Sequence, residues 1–159
     1  MLSLAPDYHL YAYGSPATAA AIARVLARYP ALPPGYLAIM GRATGIVLLW
    51  QRRGELRLWG PDEAIGMDDA YGVSAHLPGA VAIGDNGGGE LIVHGTGMAG
   101  LGLYLVATGS LFLDDDAPWI APDLITLLER GEGADIVCRS DPIDPDRLGP
   151  ALFDATAKG

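Results

Sequence analysis

Two glycine-rich stretches have residue types and spacing that could hold a phosphate. Gly95-Thr96-Gly97-Met98-Ala99-Gly100 has the G-x-G-x-x-G spacing of a dinucleotide site, with acids further along the chain. That chemistry needs a helix to begin at the glycines, so that its N-terminal amides meet the pyrophosphate. The next residues, Leu101-Gly102-Leu103-Tyr104-Leu105-Val106, are strand-like, and no βαβ unit surrounds them. The spacing therefore predicts a turn. Gly84-Asp85-Asn86-Gly87-Gly88-Gly89 invites the same reading, but a P-loop needs Lys and Ser/Thr after its glycines. Glu90 stands in that place and would repel phosphate. Asn86-Gly87 between the apolar runs Ala80–Ile83 and Leu91–Val93 has instead the composition of a β-hairpin turn.

Groups that could catalyse are scattered. His9, His76 and His94 are far apart and form no ligand pair on one helix, and no G-x-S-x-G elbow occurs. Cys138 has no neighbouring His to activate it. Asp114-Asp115-Asp116 lacks the alternating spacing and the glycine of an EF-hand loop, and reads as a solvated loop ahead of a helix. The expectation is no catalytic residue, no cofactor and no metal. Acids remain as candidates for binding. Asp68, Asp69, Asp114, Asp115 and Asp116 cluster in predicted loops, where contacts to partners concentrate.

Charge gives these acids a context. Residues 1–61 hold two acids and six arginines, a formal +4, while residues 62–159 hold seventeen acids and four bases, −13; together they make the chain's −9. An acidic half disfavours nucleic acid and favours a basic protein through long-range steering. The 159 residues, half of them apolar, suffice for one domain with a sizeable core. A single cysteine excludes an internal disulfide, and the start has neither the basic n-region nor the apolar h-region of a secretory signal. A cytoplasmic protein is expected. Gly95–Leu113 is 19 residues without a charge, the length of a membrane span. Its glycines and its short apolar centre, Leu101–Val106, predict a strand flanked by loops, and no membrane partner.

The elements that must position these residues are legible in outline. Ser15-Pro16 predicts a helix N-cap and first turn, followed by the apolar face Ile22, Val25, Leu26 and Tyr29, with Pro30 as the stop. Tyr36–Met40 reads as a shorter helix ended by Gly41. Gly45–Trp50 and Glu55–Trp59 form a hairpin through Arg52-Arg53-Gly54. Pro61–Tyr71 is acidic, with weak helical tendency at best. Ile120–Arg130 predicts a helix with Asp123 in its first turn and Leu124, Leu127 and Leu128 on one face. Ile136-Val137 reads as a last strand. Residues 1–14 form an N-terminal arm or edge strand, 15–131 the domain, and 132–159 an extension packed on it or partly loose. Helices at both ends around hairpin-linked strands give an α+β fold with a mostly antiparallel sheet.

The order of these features resembles the SUKH superfamily, the Smi-one/Knr-four-like group. The resemblance lies in the leading helix, Leu32-Pro33-Pro34-Gly35-Tyr36, a glycine-bounded break at Gly41–Gly45, an apolar hairpin and the run Ala82-Ile83-Gly84-Asp85-Asn86-Gly87-Gly88-Gly89-Glu90-Leu91-Ile92-Val93-His94. A further strand and the segment Trp119–Gly131 complete it. Many members carry Asn-Gly-Gly where Arg42-Ala43-Thr44-Gly45 stands here, and residues 1–14 and 132–159 have no counterpart. The resemblance implies a non-catalytic protein-binding domain. Bacterial members are immunity proteins that neutralise polymorphic toxins, often nucleases, and fungal members act in cell-wall and signalling control. It implies an immunity protein whose partner is a basic toxin domain. A regulatory scaffold of the same fold is the alternative. A nucleotide-binding enzyme built on the 84–102 glycines is a third reading, and it requires a helix near Gly97.

Overall fold

Short turns between successive apolar runs leave neighbouring strands little choice but antiparallel pairing. The computed structural model, which describes residues 2–113 and 117–138, has a sheet in which seven strands follow one another in chain order. They are β1 (Tyr8–Gly14), β2 (Thr44–Trp50), β3 (Gly54–Leu58), β4 (Val81–Asp85), β5 (Glu90–Gly97), β6 (Gly100–Ala107) and β7 (Trp119–Ala121), each antiparallel to the next. Helices α1 (Ala19–Arg28) and α2 (Tyr36–Met40) lie between β1 and β2, and α3 (Pro61–Tyr71) and α4 (Val73–His76) between β3 and β4. A π-helical turn, Thr126–Arg130, and α5 (Ala134–Val137) come after β7. The fold is α+β.

Strands β4, β5 and β6 are covered on both faces. Val81, Ile83, Ile92, Leu103 and Leu105 join a core with Val25, Tyr36, Met40, Leu124 and Leu127. Their neighbours Ala82, Leu91, Val93, Tyr104 and Val106 join a second core with Trp59, Ala64 and Val73. The pleat sends alternate side chains to opposite faces. Double burial is therefore why these strands read as unbroken apolar runs.

Both expected hairpins form. At the β4–β5 turn, Asp85 Oδ1 accepts from the Gly87 N–H at 2.7 Å and Asn86 Oδ1 from the Gly88 N–H at 2.9 Å. At the β2–β3 turn Gln51 and Arg52 take left-handed φ values of 52° and 57°. The stretch Gly95–Leu113 divides among the end of β5, β6 and a loop, and among the described residues no helix is long and apolar enough to cross a membrane.

Other expectations are corrected. Helix α1 begins at Ala19, because the Thr18 hydroxyl accepts from the Ala21 N–H at 3.1 Å and caps it there; Leu26 is exposed, and Ala21 and Val25 form the buried face. Pro61–Tyr71, read as weakly helical, is an eleven-residue helix. Pro61 opens it, Asp62 and Glu63 face the positive end of its dipole, and Gly72 closes it in the left-handed region. Its buried positions are Pro61, Ala64 and Asp68, so the apolar period that announces a helix is missing. Ile120 and Ala121 pair with β6 as β7, and the closing helical segment starts later, where Asp123 Oδ1 accepts from the Thr126 N–H at 2.7 Å. Leu124, Leu127 and Leu128 are buried as expected. Ile136 and Val137 lie in α5 and not in a strand.

The G-x-G-x-x-G stretch is the tip of the β5–β6 hairpin, where Gly97 pairs with Gly100. The Tyr104 hydroxyl accepts from the N–H groups of Gly97 (3.2 Å) and Ala99 (3.1 Å) and donates to the Gly100 carbonyl at 2.6 Å. A Cβ on Gly97 would stand 2.6 Å from the Tyr104 ring, and one on Gly102 would collide with Trp119. These glycines make room for an edge-to-face aromatic pair, Tyr104–Trp119, with ring centroids 5.3 Å apart. No helix begins there, so the dinucleotide arrangement is not built.

Candidate functional site

Two of the acids expected to bind a partner, Asp68 and Asp69, sit on α3 where it packs against α1. Arg24 and Arg28 lie one turn apart on α1 and face the acids of α3. Arg24 grips Asp62 with two parallel bonds, 2.9 Å from Nε and 2.8 Å from Nη2, the strong bidentate geometry of guanidinium on carboxylate. Arg28 Nη2 reaches Asp69 at 2.6 Å and Asp68 at 3.2 Å.

Asp68 is 3% exposed and is the hub of this seam. Its Oδ2 accepts a short hydrogen bond from the Tyr29 hydroxyl and another from the Ser74 hydroxyl at 2.7 Å, and its Oδ1 accepts from the Ser74 N–H at 2.8 Å. Burial by itself would raise this carboxyl, but the donors from Tyr29 and Ser74 and the charge of Arg28 outweigh it and hold the group below its ordinary value. Burial, and the bond to Asp68, push the Tyr29 phenol up. The acids read together from sequence are thus separated. Asp68 holds two helices and the α4 turn together from inside. Asp69 faces solvent in an ion pair, and Asp114, Asp115 and Asp116 lie outside the described residues.

The histidines stay apart. His9 is exposed on β1, His76 Nδ1 is 2.8 Å from the Gly72 carbonyl oxygen, and His94 is buried in β5, where burial pushes its pKa down. Burial pushes the Cys138 thiol up to about 12, away from the thiolate that reacts. Among the described residues no three of His, Cys, Asp and Glu gather as a metal site would require.

A second region of the molecule lies along strand β1. Among the described residues, strand β1 has β2 on one side only. Its first residue is anchored: Tyr8 is buried, donates from its hydroxyl to the Leu127 carbonyl at 2.7 Å, and meets Trp50 edge-to-face at 4.8 Å. The rest, His9–Gly14, is exposed. Register shifts on either side of Ala12 leave Tyr11 and Tyr13 unpaired, and such bulges re-aim side chains. Leu10, Tyr11 and Tyr13 are 45%, 68% and 67% exposed, and Leu4 beside them 38%. Behind this edge runs an apolar groove of about 290 Å³ with Leu4, Leu10 and Tyr13 at its rim. Leu48, Leu58 and Leu128 form its floor, and Arg42 is the single charged residue among the described residues that line it. Large apolar side chains gathered along an open strand edge are the mark of a docking surface. The signal in the sequence was the spacing of Tyr8, Tyr11 and Tyr13 among small residues, aromatic bodies with polar tips of the kind enriched at interfaces.

No protein-family model matches the chain, and no curated protein matches it either.

Proposed function

We propose that this chain is a non-catalytic protein-binding domain of the SUKH-like kind, acting as an immunity protein that caps a bacterial polymorphic toxin. The observation that carries the reading is the exposed β1 edge, with Tyr11 exposed on it and Leu10 and Tyr13 at the rim of an apolar groove. Element order supports the family part: α1, the Leu32–Tyr36 segment, the β2–β3 hairpin, the glycine-rich β4–β5 turn, β6 and a closing helical segment come in the sequence that the resemblance implies. The acids of α3 lend less support than their charge suggested, because Asp62, Asp68 and Asp69 are already paired with Arg24 and Arg28. A basic toxin surface would have to meet other acids.

Co-purification tests the reading. The tagged protein is recovered from cells of its source with bound proteins identified by mass spectrometry. The expected result is one large protein with a C-terminal toxin domain, whose toxicity in a surrogate host is relieved by co-expression of this chain. Recovery of cell-envelope or signalling proteins, or toxicity that co-expression does not relieve, would replace immunity with the scaffold reading.

A further inference from the structure

Three of the six arginines in the first 61 residues are committed: Arg24 to Asp62, Arg28 to Asp68 and Asp69, and Arg57 to Glu55 at 2.7 Å. The other three, Arg42, Arg52 and Arg53, make no ion pair among the described residues, and all three stand beside β1. Arg42 lines the groove and precedes Thr44, which pairs with Gly14 at one end of the strand. Arg52 and Arg53 form the turn after Trp50, which pairs with Tyr8 at the other end. The Gln51 N–H donates to the Asp7 carbonyl at 2.9 Å and ties that turn to the start of β1. A strand of seven residues is about 23 Å long. The β1–β2 pair is thus flanked by cations at both ends, with His9, Leu10, Tyr11 and Tyr13 exposed along β1 between them and Asp7 just before the strand.

We propose that β1 takes an extended segment of a partner protein along its free edge, apolar in the middle and acidic at both ends, with one large apolar side chain seated in the groove. The inference rests on the protein-binding reading and deepens it by naming the surface and the chemistry of the segment. The open edge selects extended backbone, since no strand among the described residues pairs with the side of β1 that faces away from β2. The arginines select acids. A second copy of this chain fits worse. Antiparallel β1–β1 pairing about a two-fold axis would bring Arg42 of each copy toward Arg52 and Arg53 of the other, like charge against like. An aliphatic carboxylate would fill the groove and meet Arg42, but would use neither the strand edge nor the far arginines.

The experiment is to pan phage-displayed random dodecapeptides against the full-length protein and sequence the enriched clones. Enriched peptides are expected to carry an apolar centre flanked by Asp and Glu. A synthetic representative should bind the Arg42→Glu/Arg52→Glu/Arg53→Glu variant roughly tenfold or more weakly than the unaltered protein, with the gap closing at about 1 M salt. Leu10→Ser and Tyr13→Ser should each weaken binding, and Tyr13→Ser, the more exposed of the two, should leave thermal melting nearly unchanged. No enrichment, or enrichment of lysine-flanked peptides, overturns the proposal. Peptides that still bind the β1 variants overturn it too, while leaving a protein-binding domain that uses another surface. Saturable binding of laurate in place of peptides would make the groove a small-ligand site. A dimer by light scattering that Leu10→Ser dissolves would make the edge a self-pairing one; either result replaces the proposal.

Discussion

The α1–α3 seam and the β1 edge are made of the same kinds of side chain, tyrosines and charges, and end in opposite states. At the seam Arg24 meets Asp62, Arg28 meets Asp68 and Asp69, and Tyr29 and Ser74 complete the shell of Asp68. At the edge Tyr11 and Tyr13 are exposed, and Arg42, Arg52 and Arg53 have no ion-pair partner among the described residues. The difference teaches that the availability of a charge, and not its count, marks a binding surface. An acid already satisfied inside offers a partner little, whereas an unpaired cation beside an open strand offers attraction without first breaking a bond.

Asp68 is where this contrast would break most visibly. Its replacement by Ala strands the donors of Tyr29, Ser74 and Arg28, and the expected loss is about 3 kcal/mol of unfolding free energy by urea titration. A loss no larger than that of an edge substitution would abolish the distinction. Tyr29→Phe removes one of those bonds and should cost about 1 kcal/mol on the same assay.

Acid sharpens the contrast. The folded state holds the Asp68 carboxyl below its ordinary value of 3.8, so its stabilisation is present above that value and is lost as pH falls through the lower folded one. Stability measured against pH should fall less steeply below about 4 in Asp68→Ala than in the unaltered protein. His94 works in the same direction in a higher window. Its folded pKa lies below 6.5 because burial disfavours the charged ring, so its contribution is full above 6.5 and declines as pH drops below it. His94→Gln should flatten the decline in stability as pH falls below about 6.5, the ordinary histidine value.

The smallest expected change in stability belongs to the edge. Tyr13→Ser should leave the unfolding free energy by urea titration within about 0.5 kcal/mol of the original, since the side chain has little burial to lose, yet it should reduce recovery of the partner in co-purification. Asp69→Ala, which breaks an exposed ion pair of the seam, should cost up to about 1 kcal/mol and leave recovery of the partner unchanged.

Particular residues show what was readable. The hairpin at Asn86-Gly87 and the leucine face of the closing segment were legible because turn chemistry and a 3.6-residue period are local properties. Helix α3 was not, because its inward face is Ala64 and Asp68, and an acid in that place looks like any solvated acid until a second helix covers it. Strand β7 was missed for a related reason: Trp119–Ala121 is too short to show a period, and its pairing with β6 comes from long-range register.

The sequence alone therefore determined an α+β chain of hairpins with glycine turns, an acidic second half and a phosphate-like motif too strand-bound to hold phosphate. Each of these comes from local stereochemistry or from counting charge. Only the tertiary structure decided which charges are available. It folded Asp68 inward against Tyr29 and Arg28, and it left β1, Arg42, Arg52 and Arg53 at the rim of the sheet. Burial and ion pairing are relations between residues distant in the chain, and no local pattern encodes them.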